Sequence, residues 1–146
     1  MKGTGIQVSE IVEKVLELNN KWHLSCVVID PWQMVGAGQE LCNHGLGVKE
    51  MNPTAENQRS QAAALLRGFR ERLVELFDEP RLLQDLRSAS VEETGGFGAM
   101  KICWPKSAAG HCDLGVSFTL LLPLALNTLE ISPEPMEVVF GQVTID

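Results

Sequence analysis

The sequence predicts one α/β domain, built as a mixed sheet with helices on both faces and a β-hairpin before the last helix. Apolar residues recur at helical spacing in several stretches, and short apolar runs of strand length lie between them. Strands that alternate with helices are typical of such a sheet. The 146 residues, 45% hydrophobic and 21% charged, suffice to bury a core. We expect the domain to cover residues 1–127 and a tail to cover 128–146.

The first half of the chain predicts two helices, each associated with a strand. Residues 8–20 form an amphipathic pattern that Asn19-Asn20 should end, and its apolar members are Val8, Ile11, Val12, Val15 and Leu18. The run Ser25–Asp30 is apolar up to its final carboxylate, as is typical of a strand buried on both faces. A second helix over 33–43 ends before a glycine-rich turn, and Val48–Met51 is a short second strand.

The second half begins with a long predicted helix from Thr54 to Asp78. Its apolar stripe consists of Ala62, Leu65, Leu66, Phe69, Leu73, Leu76 and Phe77. Pro80 should end this helix, and the leucines that follow indicate one further helical turn. Two extended stretches, 88–93 and 99–104, flank a glycine-rich turn and predict a β-hairpin.

The last predicted helix begins near His111-Cys112-Asp113 and ends near Asn127. Because this segment is apolar on nearly every face, we expect it to be sandwiched within the fold. From Thr128 onward, a Ser-Pro-Glu-Pro stretch indicates a linker or tail, with a short strand over Val138–Val143.

Charge and cysteine content narrow the class of protein. The net charge of −7 counts mildly against nucleic-acid binding, although a metal-dependent nuclease concentrates carboxylates at its site. The four cysteines form no Cys-x-x-Cys pair, and we expect buried free thiols in a reducing compartment. The sequence shows no signal peptide, and its longest apolar run is too short for a bilayer. We therefore expect a soluble, cytoplasmic protein with no membrane partner.

Two carboxylates stand where an α/β fold places functional groups. Asp30 is the last residue of the most apolar predicted strand, and a proline follows it. Open sheets gather their functional groups at the carboxyl ends of their strands. Asp113 lies at the start of the last helix, where a carboxylate is also favoured as a cap or by the helix dipole. Each residue alone admits a structural interpretation; together they suggest acids that converge on one sheet edge.

A family resemblance rests on the segments around these two residues. The stretch Cys26-Val27-Val28-Ile29-Asp30-Pro31-Trp32-Gln33 resembles the strand-Asp-Pro-Trp segment of phage terminase large-subunit nuclease domains, which have the ribonuclease H-like fold. The stretch Gly110-His111-Cys112-Asp113-Leu114-Gly115-Val116-Ser117 resembles the motif that places the family's last catalytic aspartate on the terminal helix. The resemblance runs from about residue 6 to residue 127. The Asp-Pro-Trp element is moderately specific, and the order and separation of both elements add to it.

The resemblance implies a metal-dependent endonuclease that cleaves concatemeric viral DNA during genome packaging. Asp30 and Asp113 would be its catalytic residues and the ligands of Mg²⁺ or Mn²⁺, hard cations that prefer carboxylate and water oxygens. The implied partners are double-stranded DNA and, for the intact family protein, the terminase small subunit and the portal. The implied location is the cytoplasm of the host cell.

The sequence departs from the family pattern at its beginning. The family's nuclease domain opens with three strands, the first of which supplies the first catalytic aspartate, and neither is found here. No Gly-x-x-x-x-Gly-Lys-Ser/Thr motif of the ATPase motor occurs either. We therefore expect an N-terminally truncated domain that binds metal weakly and has little or no activity alone.

Two other interpretations stay open. One is a non-catalytic α/β remnant or interaction module; the other is a different ribonuclease H-like nuclease, such as a resolvase or transposase. Lys101 and Lys106 could contact phosphate and His111 could approach a metal, although solvated or capping roles are more usual for such residues. Trp32 is either a core or rim residue or part of the wall of the site.

Overall fold

The computed structural model describes residues 7–93, 95, 98–105 and 112–131, with only the backbone described for residues 33 and 129–131. Five helices and four strands occur in this part of the chain. The described residues divide into two compact units between Asn52 and Pro53. The α/β class predicted from the sequence is confirmed. The strands of the described residues form two separate two-stranded sheets, one parallel and one antiparallel.

The first unit consists of a helix followed by a strand-helix-strand motif. Its elements are α1 (Val8–Trp22), β1 (Val27–Ile29), α2 (Pro31–Asn43) and β2 (Val48–Glu50). The strands β1 and β2 are parallel, with Val27 opposite Val48 and Ile29 opposite Glu50. Parallel neighbours need a crossover, and α2 supplies it. All four elements were predicted from the sequence, each within a few residues of its observed ends.

The core of the first unit lies where α1 and α2 pack together. Val12 of α1 and Ala37 and Leu41 of α2 are almost fully buried, and Leu46 closes the cluster. The half-buried residues packed against this core are Val15, Leu16, Leu24, Val27, Met34 and Val48. The strand β1 is thus held against α2 by apolar contact, which fixes the position of the residue that follows it.

The ends of α1 are closed by side chains. At its start, the carboxylate of Glu10 accepts the Gln7 N–H at 3.2 Å. At its end, the Asn19 amide oxygen accepts the Leu24 N–H at 3.0 Å, and His23 adopts a positive φ of 50°. The expectation that Asn19-Asn20 end the helix was wrong by one half-turn, because Asn19 stays helical and closes the helix beyond Trp22.

The second unit combines three helices with a hairpin. Its elements are α3 (Ala55–Arg70), α4 (Pro80–Ser88), β3 (Ser90–Glu93), β4 (Met100–Cys103) and α5 (Asp113–Ile131). The hairpin is confirmed, with Ser90 opposite Cys103 and Glu93 opposite Met100. Gly95 and Gly98, in the connection, have φ values of 72° and 70°, which glycine adopts without strain.

The helix α3 ends eight residues earlier than the sequence predicts. Leu73 donates its N–H back to the Gly68 carbonyl at 2.9 Å, and Arg72 has a positive φ of 54°. The chain turns back because Gly68 lacks a side chain, and Val74 Cγ2 lies only 3.0 Å from the position of a Cβ there. The apolar spacing that continues through Leu73 and Phe77 suggested a longer helix, yet Leu73 is 40% exposed and Phe77 52% exposed.

The helix α4 begins at Pro80, the residue at which the sequence predicts the end of the preceding long helix. Glu79 is its N-terminal cap, and its carboxylate accepts the Arg81 N–H at 3.1 Å. Proline suits the first helical position because an N–H group there would have no partner within the helix, and proline has no N–H. The single turn predicted in this region is therefore a nine-residue helix.

The helix α5 packs against α3 and α4. Its buried residues include Phe118, Thr119, Leu122 and Leu126, and the Phe118 ring lies 6.5 Å from that of Phe69 on α3. It continues to Ile131, four residues past the predicted end. The predicted strand over 138–143 lies outside the described residues. Across the described ranges, no helix is both long and apolar enough to cross a membrane.

Gly115 in the first turn of α5 provides a sharp test of packing. A Cβ at this position would lie 2.5 Å and 2.7 Å from two atoms of the rigid Trp104 ring. We expect Gly115→Ala to destabilise the protein by about 1–3 kcal/mol, because neither the ring nor the helix backbone can yield cheaply. Urea denaturation measures this change.

Gly36→Ala is the matched control within another helix. Its Cβ would meet only Val8 Cγ1, at 4.0 Å. Relief of glycine's conformational entropy should leave stability unchanged or raise it by about 0.5–1 kcal/mol. Equal destabilisation by both substitutions would show that contact with Trp104 is not the cause.

Candidate functional site

Asp30 lies at the junction between β1 and α2. It is the N-terminal cap of α2, with Pro31 at the first helical position and extended backbone angles of −82° and 113°. The Met34 N–H donates to the Asp30 carbonyl at 3.2 Å and closes the first turn. Ile29, the last residue of β1, is buried and anchors the strand. The Asp30 carboxylate is therefore held at the carboxyl end of β1. Parallel strand-helix-strand units place their functional groups at this point.

The two oxygens of the Asp30 carboxylate have different roles. Oδ1 accepts the Trp32 N–H at 3.0 Å, which satisfies one of the free amide groups at the start of α2. Oδ2 accepts no hydrogen bond from any described residue. The side chain is half-buried. Asp30 therefore caps a helix and still offers one oxygen to a cation or a hydrogen-bond donor.

Trp32 stands beside this carboxylate and is 80% exposed. This exposure excludes a core position, since a tryptophan in a packed core is largely hidden, and leaves the rim of the core or the wall of the site. Val35, one helical turn further on, is 57% exposed and lies on the same side of α2. Trp32 and Val35 are therefore two exposed apolar side chains near the start of α2.

Asp113 is the first residue of α5 and is exposed. The residue before it, Cys112, is buried, and its carbonyl accepts the Val116 N–H at 2.9 Å. A carboxylate in the first turn interacts favourably with the positive end of the helix dipole. The predicted position of Asp113 at the helix start is confirmed.

Asp85 is a second carboxylate at the start of α5, and sequence reasoning missed it. From α4, its Oδ2 accepts the Gly115 N–H at 3.1 Å and so caps α5 from a different helix. Gly115 makes this approach possible, since a Cβ there would lie 3.0 Å from the Asp85 Cβ. A signal was present in the sequence. Asp85 follows the buried Leu82 by three residues, which places a carboxylate on the buried face of α4.

The structure assigns Asp30 to the first unit and Asp113 to the second. Each carboxylate lies at the start of a helix. Within the described residues, no group of three or more His, Cys, Asp or Glu side chains is arranged to hold a metal ion. Comparison with known protein families, with curated proteins and with solved structures finds no match to this chain.

Of the two lysines considered as phosphate contacts, only Lys101 lies within the described residues, and it has a carboxylate nearby. Lys101 lies across the hairpin from Glu92, with Nζ 3.9 Å from a carboxylate oxygen. Arg67 forms an ion pair with Glu71 at 3.1 Å on the exposed side of α3. Lys106 and His111 lie outside the described residues. Exposed pairs of this kind contribute little to stability and fit a solvated surface.

The four cysteines are free, but the expectation that all of them are buried was wrong. Cys112 is buried, Cys26 and Cys103 are half-buried, and Cys42 is exposed. Burial raises the pKa of the Cys26 thiol, and the charge of nearby Lys49 partly opposes this rise. A hydrogen bond with Glu92 is the main reason for the raised pKa of the Cys103 thiol. A raised pKa leaves less of the nucleophilic thiolate at neutral pH, which argues against cysteine catalysis at these two positions.

The cap that Asp85 provides for α5 should contribute to the stability of the protein. Asp85→Ala should destabilise the protein by about 1–2 kcal/mol, because it removes the acceptor of a helix-start amide. Chemical denaturation checks the value. Gln84→Ala, at the exposed neighbouring position on α4, is the control and should change stability by less than about 0.5 kcal/mol. Indistinguishable effects of the two substitutions would contradict the capping role.

Proposed function

We propose that this chain is part of a metal-dependent DNA endonuclease domain of the terminase large-subunit type, with a ribonuclease H-like fold. In this proposal the intact domain cleaves concatemeric double-stranded viral DNA during genome packaging. Asp30 and Asp113 are its metal ligands. The terminase small subunit and the portal are the partners of the intact protein, and the chain alone has little or no activity.

One observation carries the proposal: the position of Asp30. The carboxylate follows a strand held in a parallel strand-helix-strand unit, is half-buried, and has one oxygen that no described residue uses. Such strand ends are the usual location of functional groups in α/β proteins. The Asp-Pro-Trp sequence that resembles the terminase segment is the same segment that builds this corner.

The donor chemistry at Asp30 and Asp113 fits a hard divalent cation. Carboxylate oxygens and water are the ligands that Mg²⁺ and Mn²⁺ prefer. Bound metal ions would activate a water molecule and stabilise the leaving oxygen during cleavage of a phosphodiester. The protein's part is to hold Asp30 rigidly, and the hydrogen bond from the Trp32 N–H fixes the plane of that carboxylate. Two carboxylates are a small ligand set, so the proposal includes weak metal binding.

A second candidate is a non-catalytic α/β module. It is favoured by the structural roles that explain both aspartates without a metal: Asp30 caps α2, and Asp113 stands at the positive end of α5. The net charge of −7 also opposes close approach of DNA. This candidate retains the fold and predicts no specific cation site at Asp30.

Calorimetric titration with Mn²⁺ separates the two candidates. Asp30→Asn removes the charge but keeps the cap, because asparagine caps helices as well as aspartate does. We expect Asp30→Asn and Asp113→Asn each to weaken Mn²⁺ binding at least about tenfold, a loss typical of a disturbed metal site. Circular dichroism should show that the fold of both variants is unchanged.

Asp78→Asn is the matched control, since it removes an equal charge from an exposed carboxylate outside the helices. It should leave Mn²⁺ binding unchanged. Equal binding by the wild type and all three variants would overturn the metal site and favour the non-catalytic module.

A further inference from the structure

The connection between α3 and α4 is irregular although its sequence favours a helix. No glycine or proline occurs between Gly68 and Pro80. Five of the seven residues from Glu71 to Phe77 are Glu, Arg or Leu, which are strong helix formers. Nevertheless, residues 71–79 contain neither helix nor strand. Local preference and observed structure therefore conflict in this segment, and such conflicts are typical of strained or functional sites.

The end of α3 places a non-glycine residue where glycine is usual. Leu73 donates its N–H to the Gly68 carbonyl at 2.9 Å, and Arg72 donates its N–H to the Phe69 carbonyl at 3.3 Å. These two bonds form a Schellman motif, whose left-handed residue is most often glycine. Here that residue is Arg72, with a φ of 54°. Because a Cβ destabilises the left-handed conformation, the turn is strained.

Apolar contact at Val74 offsets part of this strain. Val74 is half-buried, and its Cγ2 lies 3.0 Å from the position of a Cβ on Gly68. Leu122 of α5 lies 3.8 Å from the same position, so Val74 is folded back beside the packed side of α3. Leu73 and Phe77, by contrast, remain exposed in this conformation. The turn therefore buries one apolar side chain and leaves two others in contact with water.

We propose that α3 has a second, longer form in which residues 71–78 continue the helix, and that this form uncaps the start of α5. In the longer form, Phe69, Leu73 and Phe77 follow one another at four-residue spacing on one side of the helix. Apolar and aromatic pairs at this spacing stabilise a helix. Arg72 returns to the right-handed conformation, which relieves its strain.

Three carboxylates make the longer form the minor one. Glu75 and Asp78 lie in its last turn, where the negative end of the helix dipole disfavours negative charge. Glu71 precedes Glu75 by four residues, and like charges at this spacing destabilise a helix. The longer form also gives up the contact between Val74 and α3. The shorter form is therefore the major one, and strain in its turn is the force that favours exchange.

The same turn sets the position of α4. A continuous helix carries residue 78 about 12 Å beyond Arg70, whereas the observed turn directs the chain back over the end of α3. Because α4 begins at Pro80, its start moves with the end of the longer helix. The 3.1 Å bond from the Gly115 N–H to Asp85 Oδ2 then breaks. The longer form thus uncaps α5 at the helix start that carries Asp113, whether or not that residue binds a metal ion.

NMR relaxation dispersion on the full chain detects such a minor form at single residues. We expect residues 73–78 to exchange with a form whose Cα chemical shifts are helical. The Gly115 amide should exchange at the same rate, because it loses its Asp85 acceptor in that form. Minor-form shifts of a disordered chain would show local unfolding and overturn the proposal. Exchange at 73–78 without exchange at Gly115 overturns the link to α5.

Two substitutions of the exposed Arg72 test the role of strain. Arg72→Gly relieves the strain in the turn and weakens the helix, so it should lower the population of the longer form about tenfold or more. Arg72→Ala removes the same side chain but keeps the strain, and alanine and arginine are both strong helix formers. It should leave the population within about twofold of the wild type. Equal populations in the two variants overturn the proposed role of Arg72.

Val74→Ala shifts the exchange in the opposite direction. It removes part of the apolar contact that holds the turn and replaces a poor helix former with the best one. The population of the longer form should rise about fivefold or more. This variant decides the matter if the minor form of the wild type is too rare to detect. Absence of a helical form at 73–78 in Val74→Ala overturns the proposal.

Discussion

The start of every α-helix leaves backbone N–H groups without partners, and this constraint shapes the chain. Side-chain oxygens answer it repeatedly: Asp30 for α2, Thr54 for α3, Glu79 for α4 and, from another helix, Asp85 for α5. The carboxylates that look like metal ligands in the sequence lie at these helix starts. A functional interpretation of an aspartate must therefore account for its capping role first.

Capping and the proposed binding of a cation would compete at Asp30, and magnitudes decide the balance. The positive end of α2 opposes a nearby cation by about 0.3–1 kcal/mol per unit charge. The carboxylate attracts the same unit charge at 4 Å by about 1 kcal/mol in water and about 4 kcal/mol near a protein surface. Attraction therefore exceeds opposition, most clearly because the side chain is half-buried and Oδ2 is not used by the cap. The remaining advantage is small, in line with the weak metal binding that we propose.

Local patterns predicted the elements whose ends depend on local interactions. The helices α1 and α2 and both strands of the first unit follow from periodicity and turn residues, and so does the hairpin from β3 to β4. The end of α3 could not be predicted, because it depends on Val74 folding back over Gly68. Similarly, the exposure of Trp32 is a tertiary property, since apolar composition alone favours burial.

The candidate site was predictable in part. Strand-final position and the following proline led to Asp30, and the helix start led to Asp113. Asp85 was missed because its partner, the Gly115 N–H, is 30 residues away in sequence. Sequence patterns identify residues that interact within their own helix or strand. Residues that interact with another element are identified only once the fold is known.

We propose that Asp30 offers a cation the carboxylate oxygen that no described residue uses, while its other oxygen caps α2. Paramagnetic broadening by substoichiometric Mn²⁺ in amide NMR spectra tests it at the residue itself. We expect the signals of Ile29 and Trp32 to lose intensity first, and Asp30→Asn to abolish this loss while the capped helix stays intact. Uniform broadening at exposed carboxylates throughout the protein, or unchanged broadening at Trp32 in Asp30→Asn, would contradict it.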